Sequence, residues 1–152
     1  MANRAVALSS VKIALNGVTG PKWYHTHTAD TIFCGYLVQK QDYESVIVMD
    51  TTVDSAILGV AGLPSYKDNT LAYAANERTP VWIGGCKAEV WVTSDGHASE
   101  AWAQGAFISG SDQTAGLCEL DGGLDVYTIG RVARGFTDVS GTKKNFRMLK
   151  NV

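Results

Sequence analysis

Short runs of β-branched and aromatic residues, each fenced by Gly, Asp or Asn, recur along most of this chain and limit it to strands joined by tight turns. Eight candidate strands lie at residues 32–38, 45–49, 55–60, 81–83, 88–93, 106–108, 126–133 and 145–149, enough for a barrel or a sandwich. Alternation is clearest at 87–92, where Ala88, Val90 and Val92 point to one face and Glu89 and Trp91 to the other. Gly84-Gly85, Asp95-Gly96, Gly110-Ser111 and Asp121-Gly122-Gly123 supply positions where the chain reverses without a Cβ clash. Two short helices fit between strands. One spans 68–78, with Asp68 or Asn69 capping Leu71, Ala72, Ala74 and Ala75 ahead of Thr79-Pro80; the other is a single turn at 99–104. The expected fold is therefore mainly β: a small β-barrel or β-sandwich with one or two short helices and an extended N-terminal arm.

A chain of 152 residues suits one domain. Residues 16–152 read as a single β domain, and 1–15 as an arm or a first strand, with Ala5 and Ala7 in one phase and Val6 and Leu8 in the other. Residues 57–62 (Ile-Leu-Gly-Val-Ala-Gly) echo 128–133 (Thr-Ile-Gly-Arg-Val-Ala), as two equivalent strands of a duplicated β unit would. No apolar stretch approaches the ~20 residues of a membrane helix, and Ser9, Ser10 and Lys12 interrupt any signal-peptide core. Three cysteines, Cys34, Cys86 and Cys118, are an odd number at long spacings, which favours reduced, buried thiols and synthesis in a reducing cytoplasm.

The formal net charge of −2 is too close to neutral for a protein that neutralises nucleic-acid phosphates. Its distribution is uneven: residues 1–130 hold seven basic and fourteen acidic side chains, and 131–152 hold six basic and one acidic. An acidic body with a basic end is the result, and Arg131, Arg134, Lys143, Lys144, Arg147 and Lys150 are candidates to pair with an acidic partner surface or with the body of another copy.

Catalytic signals are sparse. His25 and His27 share a strand face at i, i+2 spacing, with Asp30 and Cys34 nearby, but a catalytic zinc needs a third ligand. Ser109, beside Gly110, lacks a nucleophile elbow, and Gly84-Gly85 lacks the following Lys-Ser or Lys-Thr of a phosphate loop. Asp42 with Glu44, and Glu119 with Asp121, have the spacing of acid/base pairs, but solvated loop charges explain them better. Four Trp invite a stacking role, with Trp91 and Trp102 the candidates for an interface and Trp82 sitting in an apolar triplet.

The order of features carries more than any one motif. A Gly-Val-Ala step at 59–61 leads through Val81-Trp82-Ile83 and Glu89-Val90-Trp91-Val92 to Gly105-Ala106-Phe107-Ile108-Ser109-Gly110, then Ile129-Gly130-Arg131-Val132-Ala133, then Phe146-Arg147-Met148-Leu149. This pattern, over about residues 46 to 150, resembles the capsid cement, or head decoration, proteins of tailed bacteriophages. The loop at 62–80 is long for that pattern, and 23–34 matches nothing in it.

The resemblance implies a structural virion protein without catalysis or cofactor. It would bind the exterior of an assembled shell through the major capsid protein, often as a homotrimer, with no nucleic-acid or membrane partner, and assemble in the host cytoplasm. On that reading Arg4, Val6, Leu8, Trp91, Trp102, Arg131, Arg134, Lys143, Lys144 and Arg147 are the interface candidates. The alternatives are a small metal-dependent hydrolase using His25 and His27, and an aromatic carbohydrate or nucleic-acid binding module.

Overall fold

A computed structural model describes residues 21–27, 31–51, 57–62, 71–83, 89–120 and 128–150. Among these residues, twelve strands run in chain order: β1 (Lys22–Thr26), β2 (Leu37–Lys40), β3 (Ser45–Val48), β4 (Ile57–Ala61), β5 (Arg78–Ile83), β6 (Glu89–Thr93), β7 (Ala101–Trp102), β8 (Phe107–Gly110), β9 (Cys118–Leu120), β10 (Gly130–Val132), β11 (Phe136–Thr137) and β12 (Asn145–Lys150). The first five close a barrel in the order β1-β3-β2-β4-β5, with β5 pairing back to β1; β1 and β3 are parallel and the other barrel neighbours antiparallel. A second, antiparallel sheet has the order β6-β12-β10-β8-β9, and β7 and β11 form a separate pair. The chain is thus mainly β and contains a small closed barrel.

Parts of β2, β4 and β5 are apolar on both faces because each face meets a core. Val38, Val46, Ala61 and Val81 pack inside the barrel with Tyr24, Ile32 and Tyr73. Their neighbours Leu37 and Val60, together with Met49, pack outward against Val90, Val92, Ile108, Val132, Phe146 and Met148 of the second sheet. Continuous apolar runs are what a strand covered on two sides requires. Leu37 N donates to Gly116 O at 2.8 Å and Gly116 N to Met49 O at 3.1 Å, fastening the β8–β9 connection to the barrel. The second sheet curls back on itself through a bridge from Ser94 to Cys118.

No helix occurs among the described residues, which corrects both helical expectations. Within 68–78, described from residue 71, Tyr73 is drawn into the barrel: its N–H donates to Ile32 O at 2.8 Å, its hydroxyl donates to Gly62 O, and it is 2% exposed. Asn76 then takes a left-handed φ of 61°, where a right-handed helix cannot continue. Residues 99–104 contain β7 because the Trp102 ring is buried against Phe136 and Phe146, with centroids 5.1 and 4.9 Å away. Burial of one large ring outweighs the modest helix propensity of six residues.

Residues 32–38 are also not one strand. Ile32 makes a single bridge, 33–36 turn, and only then does β2 begin. The echoed segments do fall on interior strands of the two sheets, β4 between β2 and β5, and β10 between β12 and β8. The N-terminal arm, with Arg4, Val6 and Leu8, and also Asp30, Cys86 and Asp121, lie outside the described residues. Cys118 is buried and Cys34 half-buried, both as free thiols.

Candidate interaction face and groove

Val90, Val92, Ile108, Val132, Phe146 and Met148 all point into the core, so strand alternation places Glu89, Trp91, Phe107, Arg131 and Arg147 on the outer face of the second sheet. The register sets Arg147 opposite Trp91 and Arg131 opposite Phe107. The Arg131 guanidinium stands 4.3 Å from the Phe107 ring centroid, and that of Arg147 5.9 Å from the Trp91 ring. Arg147 Nε also meets Glu89 Oε1 at 3.0 Å. Trp91 is 56% exposed and Phe107 40%. Large rings left in water are the informative exception on a surface, and Trp and Arg are the residue types that dominate binding hot spots. Each exposed cation–ring contact contributes about 0.5–1 kcal/mol and helps hold these side chains stacked above the sheet.

Where β6 approaches the barrel, a groove of 890 Å³ opens between Trp91 on one side and Phe33, Tyr36 and Trp82 on the other, rimmed by Glu89, Lys143 and Asn145. Gly35 makes its geometry possible. With φ at 88° and no Cβ, it brings the 33–36 turn against β6, where a Cβ would lie 3.3 Å from Trp91 O and 3.2 Å from Thr93 Oγ1. Its N–H donates to Ala61 O at 2.8 Å, tying the turn to β4. Phe33 and Tyr36 flank it with ring centroids 5.4 Å apart. Burial pushes the Cys34 thiol and the Tyr36 hydroxyl above their ordinary values, so both stay neutral at pH 7.

A further aromatic stands at the opposite end of the β2–β3 hairpin. The 41–44 tip carries Tyr43, 85% exposed, between Asp42 and Glu44. Asp42 Oδ1 accepts from both Glu44 N and Ser45 N at 2.9 Å, and Gln41 N donates to Ser45 O at 3.0 Å, so the tip is locked. Hydrogen bonding from the Ser45 side chain first, and then from the backbone N–H groups of Glu44 and Ser45, holds the Asp42 carboxyl below its ordinary value. Asp42 thus acts as a turn-former, which accounts for the Asp42/Glu44 spacing without catalysis.

The remaining candidates disperse. Trp102 is 1% exposed, so it belongs to the core and presents nothing to a partner, a correction to its place among the interface candidates. Lys144 Nζ donates to Thr137 O at 2.6 Å, Lys143 rims the groove, and Arg134 is exposed just past β10. The basic end is therefore divided among several places. His25 is exposed on β1 with Nδ1 3.1 Å from Asn76 O, and His27 follows the strand half-buried. Among the described residues no group of three His, Cys, Asp or Glu gathers as a metal site. Ser109 is fully buried in β8.

Burial raises the Glu119 carboxyl to about 7, with the Asp112 and Asp95 carboxylates adding to the rise and the hydrogen bond from Asp112 N, at 3.3 Å, opposing it. An acid whose folded value exceeds its unfolded one binds more protons when folded between the two. Glu119 therefore makes stability increase as pH falls from about 7 toward 4.5. Urea titrations of the wild type and Glu119→Gln across that window should show a shallower pH slope in the variant; identical slopes would contradict the assignment.

Sequence reasoning passed over Phe107, Phe33, Tyr36 and Tyr43. The available signals were the aromatics flanking Gly35 and a lone Tyr between two carboxylates. No protein-family model and no curated protein sequence matches the chain.

Proposed function

We propose that this protein is a structural decoration subunit that binds the exterior of a tailed-phage capsid shell and reinforces it without catalysis. The observation that carries the reading is the exposed outer face of the second sheet at β10 and β8, where the Arg131 guanidinium stacks over the Phe107 ring. A planar, arginine-bearing face suits a broad acidic surface on another subunit, since the cations steer and the rings anchor. The order of strands and turns from about residue 46 to 150 supplies the family analogy. The shell's major capsid protein is the proposed partner.

The test is co-sedimentation with empty shells assembled from the major capsid protein of the same genome. Arg131→Glu together with Phe107→Ser, both at exposed positions, should leave the fold intact and weaken shell binding by roughly thirtyfold or more, the effect of losing a hot spot. Wild-type attachment should also weaken between about 50 and about 500 mM salt, as the screening length shortens from ~13 to ~4 Å. Absence of wild-type pelleting with shells would end the reading.

A further inference from the structure

The chain carries both halves of a contact that it cannot make with itself. One half is the groove between β6 and the barrel, with Trp91, Trp82, Tyr36 and Phe33 as walls and Lys143 on its rim, Arg147 standing beside Trp91. The other half is the 41–44 tip: one almost fully exposed ring, Tyr43, between two carboxylates, on a turn made rigid by Asp42. We propose that the tip of one copy inserts Tyr43 into the groove of a second copy, joining copies head to tail.

Charge complementarity selects this occupant. Asp42 and Glu44 flank the inserted ring, and Lys143 in the groove lining stands to meet them. Glu89, the acidic group on the groove side, is held by Arg147 at 3.0 Å, and the tip brings Lys40, whose Nζ stands 5.3 Å from the Tyr43 ring centroid, to face it. Tyr is among the residues favoured as interface anchors because a large, stiff ring loses little conformational entropy on docking. The tip is already locked, so its ordering cost is met before association.

Self-insertion is ruled out by distance. Tyr36 adjoins the first residue of β2 and the tip follows its last, so the four residues of the strand, on the order of 13 Å, separate tip and groove. Two different surfaces of one molecule are therefore matched. Such a heterologous contact builds a closed ring when its rotation closes. The inference deepens the structural-subunit reading by naming what the β6 end of the face holds, while the Phe107–Arg131 end remains for the shell.

Sedimentation velocity on the full chain tests it, because each single variant spoils a different half. The wild type at about 100 μM, well above a micromolar dissociation constant, should sediment as an oligomer, and Tyr43→Ala alone and Trp91→Ala alone as monomers. Both substitutions are at exposed positions, and circular dichroism with thermal melts checks that each variant is folded.

Mixed in equal amounts, the two variants should form a species of two copies, the Trp91→Ala chain lending its tip to the groove of the Tyr43→Ala chain. A wild-type monomer, an unaltered oligomer in either single variant, or a mixture that stays monomeric would each overturn the contact. Pelleting with shells is scored separately: its failure in the wild type removes the decoration reading and leaves the copy-to-copy contact standing.

Discussion

Trp102→Ala is expected to lower the unfolding free energy by about 3–5 kcal/mol, as truncating a large buried aromatic does, and the melting temperature by roughly 10 °C for a chain of this size. Trp102 sits with Phe136 and Phe146 in a cluster whose third pair, Phe136 with Phe146, is stacked at 4.9 Å, so its loss opens a cavity among three rings. It also removes the side chain that holds β7 against β11. Trp102→Phe separates packing from polarity. The indole Nε1 is buried with no hydrogen-bond partner among the described residues, a burden of about 1–3 kcal/mol that phenylalanine relieves. The phenylalanine variant should therefore lose much less stability than the alanine variant. Equal losses in chemical denaturation would contradict the role of the orphaned N–H.

Gly59→Ala should be nearly as damaging, by about 3 kcal/mol or more, for a reason that has nothing to do with side-chain burial. Gly59 pairs with Val38 on β2 and with Ile83 on β5, and a Cβ built on it would lie 2.2 Å from the Trp82 carbonyl oxygen and 2.8 Å from its carbon. These are backbone atoms, so the relief available is separation of β4 from β5 and opening of the barrel. Gly105→Ala is the control. Gly105 has a positive φ of 83° with nothing within 4 Å of its would-be Cβ, so it incurs only the left-handed strain, about 1 kcal/mol. Equilibrium unfolding of the two variants side by side tests the distinction; matched losses would refute the close-approach argument.

Much of the outer sheet was readable from the chain. The alternation in β6, with Val90 and Val92 inward and Trp91 outward, was explicit in the order of residues, and the exposed Trp91 follows from it. Strands such as β3 and β12 were recognisable from β-branched and aromatic runs between turn residues. β1 was missed because Lys22–Thr26 alternates with polar and aromatic residues on its outer face, so that only Tyr24 and Thr26 mark the interior. β7 and β11, two residues each, are too short for any periodicity to register and exist because three aromatic rings converge there. Trp102 and Trp91 illustrate the same limit: both are Trp in or beside a short strand, yet one fills the core and the other faces water.

The amino-acid order alone determined the β character and which residues alternate within a strand, because those follow from local sterics and from the two-residue period of an extended backbone. Only the tertiary structure decided that five strands close on themselves, that Gly35 brings its turn against β6 to shape a groove, and that Tyr43 stands at the far end of its hairpin. Those outcomes depend on contacts between residues distant in the chain, whose energies no local window of sequence contains.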